Sequence, residues 1–587
     1  MKNKENIDSL AEDKTNNSIN RFMKKSINWI SSNRFFFVIY ILSTVFFLVQ
    51  HYFVQGWDFS SYVLNAKYFF SRGFYFEHYR APLMPFIIGI FSFFGYKISE
   101  FIYVFLVSSL FAFAVWNFSR AVKFGKNSSA LFYFLLLNPF TLHFGIIQGT
   151  ELLSLSFLIL FISILIKSSK KNTNKTDNTN NINKTDNTNK TDNTNNFKKI
   201  DWLKGGIFLS LSFLARYTSL SYAILSLFAF KLKKMSKFFL IIIGFLIPII
   251  PWLIFNYFNT GNMFTSIFDS YLLNVKFRDY IVQQINFSHI LTSLNYLLPF
   301  FLVGITLFLT GIFKKSMEAS RTRGKTQAFS GIAKIFSENK TGIILLIFSA
   351  IILYKYAGVP VKILRYLFDI GFPATFFSVI GIIYISAKLN NSILRRKKSR
   401  RFKKGIVSVL ILAGIFVYFA VFSVFYFSAY NTKDSIGFFE RNKEAVVIIE
   451  SLNISDCSIM SNSYVFMNYL GQNTNIYPRD TLVDYYIEQG QRIVIFKNIA
   501  EPEYSSDIEY LQSKPYVFEN ENFIILGNLS FCISQKKEDS SYLKSLNTTV
   551  SLITGERMDT NHCNYVFDKK TSFNKLFNQI CNSLRKE

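Results

Sequence analysis

Repeated apolar runs of near membrane-spanning length constrain this chain more than any other feature. Half of the 587 residues are hydrophobic and 18% are aromatic, including 69 phenylalanines. A helix needs roughly 20 predominantly apolar residues to cross a bilayer, and runs of about that length recur between residues 35 and 428. The sequence therefore predicts a polytopic α-helical membrane protein with about eleven crossings.

The positive charges lie mostly in short loops between the apolar runs. A net charge of +28 would also suit a nucleic-acid-binding protein. Lysine and arginine in short loops are, however, typical of the cytoplasmic side of a membrane. We therefore interpret the charge as a signal of orientation and expect membrane lipids, but no nucleic acid, as partners. It predicts a cytoplasmic tail at 1–34 and an extracytoplasmic C-terminal domain at 429–587 of a multi-pass plasma-membrane protein.

The first predicted outer loop, residues 53–97, ends in the short apolar segment PLMPFIIGIFSFFGY. This segment is short for a span, so we expect a re-entrant or interfacial helix there. The next apolar run, 101–118, is then the second span, which leaves Arg120 and Lys123 on the cytoplasmic side. The other spans are predicted at 35–54, 129–146, 152–166, 238–255, 287–312, 341–356, 366–387 and 405–428.

Two internal segments depart from the simple pattern of spans and loops. The loop 167–204 contains the low-complexity repeat NKTDNTNNINKTDNTNKTDNTNN, which has too few apolar residues to fold and predicts a disordered cytoplasmic insertion. The apolar segment 205–230 has lysines at both ends, which predicts a path out and back through two short, broken helices. Arg216 would lie near its outer turn.

The C-terminal region, 429–587, changes to a pattern of short strands and helices. CSIMS, QRIVIF and PYVFENENFIILG are predicted strands, and NKEAVVIIESLN and TLVDYYIEQG are predicted helices, so we expect a small α/β domain. If it is exported, its cysteines form up to two disulfides, and otherwise they are buried thiols. The sequence contains no CxxC motif and no Cys/His cluster, so we do not expect a zinc site. The cysteines are Cys457, Cys532, Cys563 and Cys581.

Two acidic residues beside predicted spans are the catalytic candidates. Asp58 follows the first span, where partial desolvation is expected to raise its pKa and suit it to accept the proton of an attacking hydroxyl. The alternative is a role as a helix N-cap. Glu151 begins a strongly apolar span, where it would orient an acceptor or position a metal, or else stabilise the helix dipole.

Two arginines are the candidates for binding a phosphate. Arg216 interrupts an otherwise uncharged segment, and a cation there would stabilise the negative charge of a leaving phosphate. The alternative is an arginine at a helix end whose side chain only extends to the membrane surface. Arg365 begins a later span, with Asp369 one helical turn on as an alternative internal partner. Further candidates for lining the same cavity are Glu77, His78, Tyr79, Arg80 and Tyr366.

The order of these motifs resembles the GT-C superfamily of polyprenyl-phosphate-dependent glycosyltransferases. Within it the sequence is most similar to the branch of protein O-mannosyltransferases and aminoarabinose transferases, a glycosyltransferase 39-like group. The matching residues lie within 35–428. They are Trp57-Asp58, Arg80-Ala81-Pro82-Leu83-Met84-Pro85, Thr150-Glu151, Leu214-Ala215-Arg216, and Arg365-Tyr366-Leu367 with Pro373.

The resemblance implies an inverting transfer of a sugar from a polyprenyl phosphate to a glycan, lipid or protein acceptor. Asp58 would be the general base, and Arg216 and Arg365 would face the donor phosphate. The first outer loop has no D-x-D motif, so the sequence does not support a divalent metal cofactor. The C-terminal region has no tryptophan, in contrast to the W-W-D signature of oligosaccharyltransferases. The alternatives are a flippase or transporter of lipid-linked glycans and a glycan-polymer ligase.

Overall fold

A computed structural model describes most of the membrane region and most of the C-terminal domain. The described residues are 33–71, 73, 75–122, 128–170, 190–229, 235–271, 274–275, 283–294, 297–322, 339–395, 434–477, 483–497, 508–528 and 531–534. The predicted span at 405–428, Cys563 and Cys581 lie outside them.

The N-terminal part is a bundle of helices around one large apolar core. Segments of 3₁₀ helix interrupt it at Ser92–Phe94, Tyr217–Ala229 and Leu364–Ile370. The α-helices are α1 (Asn33–Phe53), α2 (Trp57–Ser71), α3 (Leu83–Ile90), α4 (Tyr96–Val122), α5 (Ser128–Leu136), α6 (Pro139–Phe144), α7 (Glu151–Lys170), α8 (Lys190–Ala215), α9 (Ser236–Thr260), α10 (Thr265–Tyr271), α11 (Phe287–Leu294), α12 (Leu298–Thr322), α13 (Lys340–Gly358) and α14 (Gly371–Arg395).

Length and hydropathy mark this bundle as membrane-embedded. Among the described residues, five helical segments are long and apolar enough to cross a bilayer, and a bent pair makes a sixth. They are Phe35–Phe53, Tyr96–Val122, Ser236–Thr260, Lys340–Gly358 and Leu364–Ser386, with the pair Phe287–Leu294 and Leu298–Lys314. The chain is therefore an integral membrane protein, while the total of about eleven crossings stays a prediction.

The short apolar segment after the first loop is not a full span. It forms α3, of eight residues, and the chain then turns through Ser92–Phe94 into the 27-residue α4. Gly95 makes this turn with φ of +89°, which a residue with a side chain rarely adopts. The predicted second span, 101–118, lies inside α4.

Three predicted segments differ in the structure. The predicted span 129–146 is divided, because α5 ends at Leu136 and α6 begins at Pro139, and Asn138 before this proline is not helical. The loop 167–204 is shorter than expected, because α7 continues to Lys170 and α8 already begins at Lys190, within the low-complexity repeat. The predicted span at 287–312 is not straight, because α11 and α12 meet at 88°. Pro299 lies in the first turn of α12, where a proline is tolerated because its missing N–H is not needed there, whereas it could not continue a helix from α11.

The segment 205–230 is broken, as predicted, while its path out of and back through the membrane stays a prediction. Helix α8 ends at Ala215, and the chain continues as a 3₁₀ helix from Tyr217. The break falls at Arg216, so its side chain lies at the junction of two helical segments.

The C-terminal domain is an α/β unit built on a five-stranded mixed sheet. The strand order is β2-β1-β3-β5-β4, with β1 parallel to β2 and β3, and β5 antiparallel to β3 and β4. Apolar clusters pack on both faces of the sheet. The strands are β1 (Ile459–Ser461), β2 (Thr474–Ile476), β3 (Arg492–Phe496), β4 (Tyr516–Glu519) and β5 (Phe523–Leu526), and the helices are α15 (Asp434–Ser451), α16 (Tyr464–Tyr469), α17 (Val483–Glu488) and α18 (Ile508–Gln512).

Every predicted strand and helix of this domain has a counterpart, but PYVFENENFIILG forms two antiparallel strands, β4 and β5. The sequence missed β2, α16 and α18. Cys457 and Cys532 form a disulfide, which links the start of β1 to the segment after β5. Of the two alternatives for the cysteines, the disulfide is therefore correct for this pair.

Candidate functional site

The N-terminus of α2 places Asp58 against the loop that leads into α7. The backbone N–H of Gly56 donates to the carbonyl of Ile147 at 3.2 Å, and the N–H of Asp58 donates to Oε1 of Gln148 at 3.2 Å. A Cβ on Gly56 would collide with the Ile147 carbonyl. Glycine is required here because the two backbones touch.

The same loop positions Glu151. Gly149 turns the chain with φ of +94°, and the hydroxyl of Tyr103 donates to its carbonyl at 2.5 Å. Glu151 then starts α7 and is only 4% exposed. Its Oε2 is buried and has no hydrogen-bond partner among the described residues. A buried carboxylate oxygen without a partner is costly, so it is a candidate contact for a bound hydroxyl.

Two arginines clamp the carboxylate of Asp58. Nη1 of Arg80 lies 2.8 Å from Oδ1, and Nη1 of Arg365 lies 2.6 Å from Oδ2. Burial alone would raise the pKa of Asp58, but the charges and hydrogen bonds of Arg365 and Arg80 outweigh it and hold this pKa below its usual value. The prediction of a raised pKa is therefore wrong, because the sequence did not reveal the arginine contacts.

Arg80 is itself held from behind by Glu77. Its Nε donates to the Glu77 carboxylate, which also accepts the hydroxyl of Tyr75. Asn65, on α2, exchanges two hydrogen bonds with the backbone of Glu77, at 2.8 and 2.9 Å. Glu77 is fully buried. Because a guanidinium is a rigid planar fork, this support fixes the edge that Arg80 presents to Asp58.

Arg365 pairs with Asp58 and not with Asp369, so the alternative internal pair is wrong. The segment Leu364–Ile370 is a 3₁₀ helix, which has three residues per turn, and residues four apart therefore do not share a face. Asp369 instead accepts the hydroxyl of Tyr222 at 2.5 Å and lies 3.9 Å from Nζ of Lys355. Lys355, which also donates to the Tyr222 hydroxyl at 3.1 Å, was missed by the sequence reasoning. A lysine near the end of an apolar run was its only signal.

Arg216 lies between these two groups. It interacts electrostatically with Glu151 and Asp369, and it repels Arg365. Within the described residues its guanidinium makes no ion pair shorter than 4 Å and no hydrogen bond. It is therefore the cation of the cluster that is best placed to receive an anion.

The remaining predicted residues surround the two clamping arginines. His78 pairs with Asp269 of α10, which the sequence reasoning did not identify. The ring of Tyr79 lies 5.5 Å from the Arg80 guanidinium, and the ring of Tyr366 lies 5.7 Å from that of Arg365. These distances are typical of cation–π contacts.

The site is a charge-balanced cluster. Four carboxylates and four cations are linked by contacts or by electrostatic interaction, so their formal charges cancel. Across the described ranges, no three histidine, cysteine, aspartate or glutamate side chains are grouped to hold a metal. The members are Asp58, Glu77, Glu151 and Asp369 with Arg80, Arg216, Lys355 and Arg365.

Comparison by structure identifies the architecture, whereas sequence comparison found no matching family model and no similar curated protein. ArnT from Cupriavidus metallidurans, in a crystal structure bound to undecaprenyl phosphate, aligns over 86% of this chain and 100% of its own with a TM-score of 0.54 and 10% identity. An oligosaccharyltransferase from Archaeoglobus fulgidus aligns over 79% of this chain and 70% of its own, with a TM-score of 0.51 and 10% identity. Both are members of the GT-C superfamily. This chain has the GT-C fold.

Proposed function

We propose that this protein is a membrane glycosyltransferase that moves a sugar from a polyprenyl phosphate to an acceptor hydroxyl. The observation that carries the proposal is the cluster around Asp58, in which Arg80 and Arg365 clamp the carboxylate. Arg216, which makes no ion pair with any described residue, interacts electrostatically with Glu151 and Arg365 of the same cluster. The membrane-embedded helices around this cluster also support the proposal, because a lipid-linked donor needs a site within a membrane-embedded fold. The structural neighbour ArnT binds undecaprenyl phosphate.

Arg216 and Arg365 hold the donor phosphate in this proposal. In the reaction, the acceptor oxygen forms a bond to the anomeric carbon, and the bond from that carbon to the phosphate oxygen breaks. The departing lipid phosphate gains negative charge, which cations already in place stabilise without reorganisation. A leaving group displaced from the opposite side gives inversion at the anomeric carbon.

Asp58 takes the proton of the acceptor hydroxyl as the general base. Its lowered pKa keeps it ionised at neutral pH, so it is always ready to accept, although it is a weak base while both arginines hold it. Glu151, with its unpartnered Oε2, orients the acceptor. The disulfide of the C-terminal domain supports an extracytoplasmic location for that domain and for the site beside it.

The test uses the full-length protein in membranes supplied with radiolabelled undecaprenyl- and dolichyl-phosphate monosaccharides. Wild type should transfer label from lipid to acceptor, and Asp58→Asn should lower the rate about 10²- to 10⁴-fold, the usual contribution of general-base catalysis. Asp484→Asn is the matched control, because Asp484 is half-exposed and pairs with Lys514 in the C-terminal domain.

Three outcomes would contradict the proposal or part of it. Transfer by Asp58→Asn at the wild-type rate would remove Asp58 as the base. Movement of lipid-linked sugar across liposomes without transfer would indicate a flippase. Transfer only from donors that carry longer glycans would indicate a polymer ligase.

A further inference from the structure

The C-terminal domain touches the site through its short helix α16. The ring of Tyr464, at the start of α16 and 1% exposed, lies 5.2 Å edge-on from that of Trp57. It also lies 6.0 Å from the ring of Tyr75, and these rings form one small apolar cluster. Trp57 directly precedes Asp58, so the domain packs against the first turn of the helix that carries the candidate base.

A chain of contacts continues from Tyr75 to Asp58. The Tyr75 hydroxyl donates to the carboxylate of Glu77, which also accepts Nε of Arg80. Nη1 of Arg80 then reaches Asp58 at 2.8 Å. Each link is buried or mostly buried, so a shift at Tyr464 has few ways to be absorbed before it reaches the guanidinium.

The other end of α16 is anchored to the bundle separately. The hydroxyl of Tyr469 donates to Oε1 of Glu100 at 2.7 Å, and Oε2 of Glu100 lies 3.1 Å from Nε2 of His51. Nζ of Lys67, on α2, donates to the carbonyl of Tyr469 at 3.4 Å. Glu100 and His51 are both almost fully buried. Helix α16 is thus held at both ends, and its orientation over α2 is fixed.

We propose that Tyr464 is a positioning residue for Asp58, acting through Tyr75, Glu77 and Arg80, so that the site is complete only with the C-terminal domain seated. This inference rests on the proposed glycosyl transfer. It makes the domain part of the catalytic unit, although none of its described residues touches Asp58. The other charged and titratable groups that interact with Asp58 are Arg365 and Tyr62, and both of them also interact with Glu151.

The experiment measures kcat and the donor KM of full-length variants in nanodiscs, with the labelled polyprenyl-phosphate monosaccharide that the wild type transfers. Tyr464→Ala should lower kcat at least tenfold and leave the donor KM unchanged, because the contact chain from Tyr464 ends at Asp58 and includes neither Arg216 nor Arg365. Tyr464→Phe keeps the ring contacts and should retain wild-type kcat. Tyr516→Ala is the control, since Tyr516 is 53% exposed on β4.

A double-mutant cycle separates positioning from a purely structural role. With Glu77→Gln already present the relay is broken, so Tyr464→Ala should then change kcat less than twofold. The proposal would be overturned if the fold losses in kcat of the two single variants multiply in the double variant. A wild-type kcat for Tyr464→Ala would also overturn it.

A smaller variant keeps the proposal testable if Tyr464→Ala does not fold. Tyr75→Phe deletes one hydroxyl, so that Glu77 can draw Arg80 away from Asp58. This variant should therefore also have a lower kcat. A wild-type kcat would overturn the relay. Failure of the wild type to transfer any donor would refute the proposed function. A wild type that transfers normally, with variants that behave like it, would refute the relay alone.

Discussion

Replacing Asp58 with asparagine should destabilise the protein as well as inactivate it. The change removes the shared partner of Arg80 and Arg365 and leaves two cations close together, with Glu77 supporting one of them. Removing one partner of a buried ion pair costs about 3–5 kcal/mol. Asp58 is 21% exposed, so we expect a loss near the lower end, about 3 kcal/mol.

The pH dependence of this stabilisation follows from the lowered pKa of Asp58. A carboxyl whose pKa is lower in the folded than in the unfolded state stabilises the fold fully above the unfolded value. That stabilisation is lost only as the pH falls below the usual value for an aspartate, near 3.8. Wild type and Asp58→Asn should therefore differ most at neutral pH and converge under strongly acidic conditions.

The assay is thermal unfolding of the purified protein in detergent, followed by tryptophan fluorescence. Asp58→Asn should unfold several degrees below wild type, while the control Asp484→Asn removes an exposed pair and should change stability by less than about 1 kcal/mol. Arg80→Gln in the Asp58→Asn background should recover part of the loss, because it removes an unpaired cation. Unfolding of Asp58→Asn at or above the wild-type temperature would refute the reasoning and show that the clamp is a strained arrangement kept for function.

Three further predictions test how the site and its neighbouring domain are built. Gly56→Ala should cost about 1–3 kcal/mol of stability, measured by the same unfolding assay, because its Cβ meets backbone, and an unchanged midpoint would contradict the close approach. Cys532→Ser should lower the stability of the C-terminal domain by about 4 kcal/mol, because the disulfide with Cys457 closes a loop of 75 residues. If the variant and wild type have the same mobility on non-reducing gels, the bond does not form. Tyr222→Phe should cost about 1–3 kcal/mol by leaving buried Asp369 short of a donor, and wild-type stability in denaturant would contradict this.

Local patterns in the sequence predicted the elements and many of the site residues. Apolar length indicated the five candidate spans, the short segment before α4, and the break at Arg216. Alternation of strand and helix patterns indicated the α/β domain. The structure joins Asp58 to Arg365, which are 307 residues apart, and it brings Glu151 and Arg216 into electrostatic contact. Their roles in catalysis and phosphate binding remain predictions.

The sequence could not reveal which partner each charged residue takes. Arg365 and Asp369 have ordinary α-helical spacing, and only the 3₁₀ geometry of their segment turns them apart. Arg80 was predicted to line the cavity, yet its contact with Asp58 depends on Glu77 and a loop folded back onto α2. Tyr464 lies in α16, which is too short to leave a periodic signal.

A low pKa and a role as general base are compatible at Asp58 if Arg365 is shared with the donor. A guanidinium has five N–H donors, so Arg365 can bind a phosphate while it still contacts Asp58 at 2.6 Å. A sugar phosphodiester carries one negative charge, and the departing lipid phosphate approaches two as the bond to the sugar breaks. In the proposed reaction, the leaving group would therefore compete more strongly for Arg365 as the bond breaks. This competition would weaken the contact between Arg365 and Asp58 and raise the proton affinity of Asp58 at the stage when the acceptor proton must move.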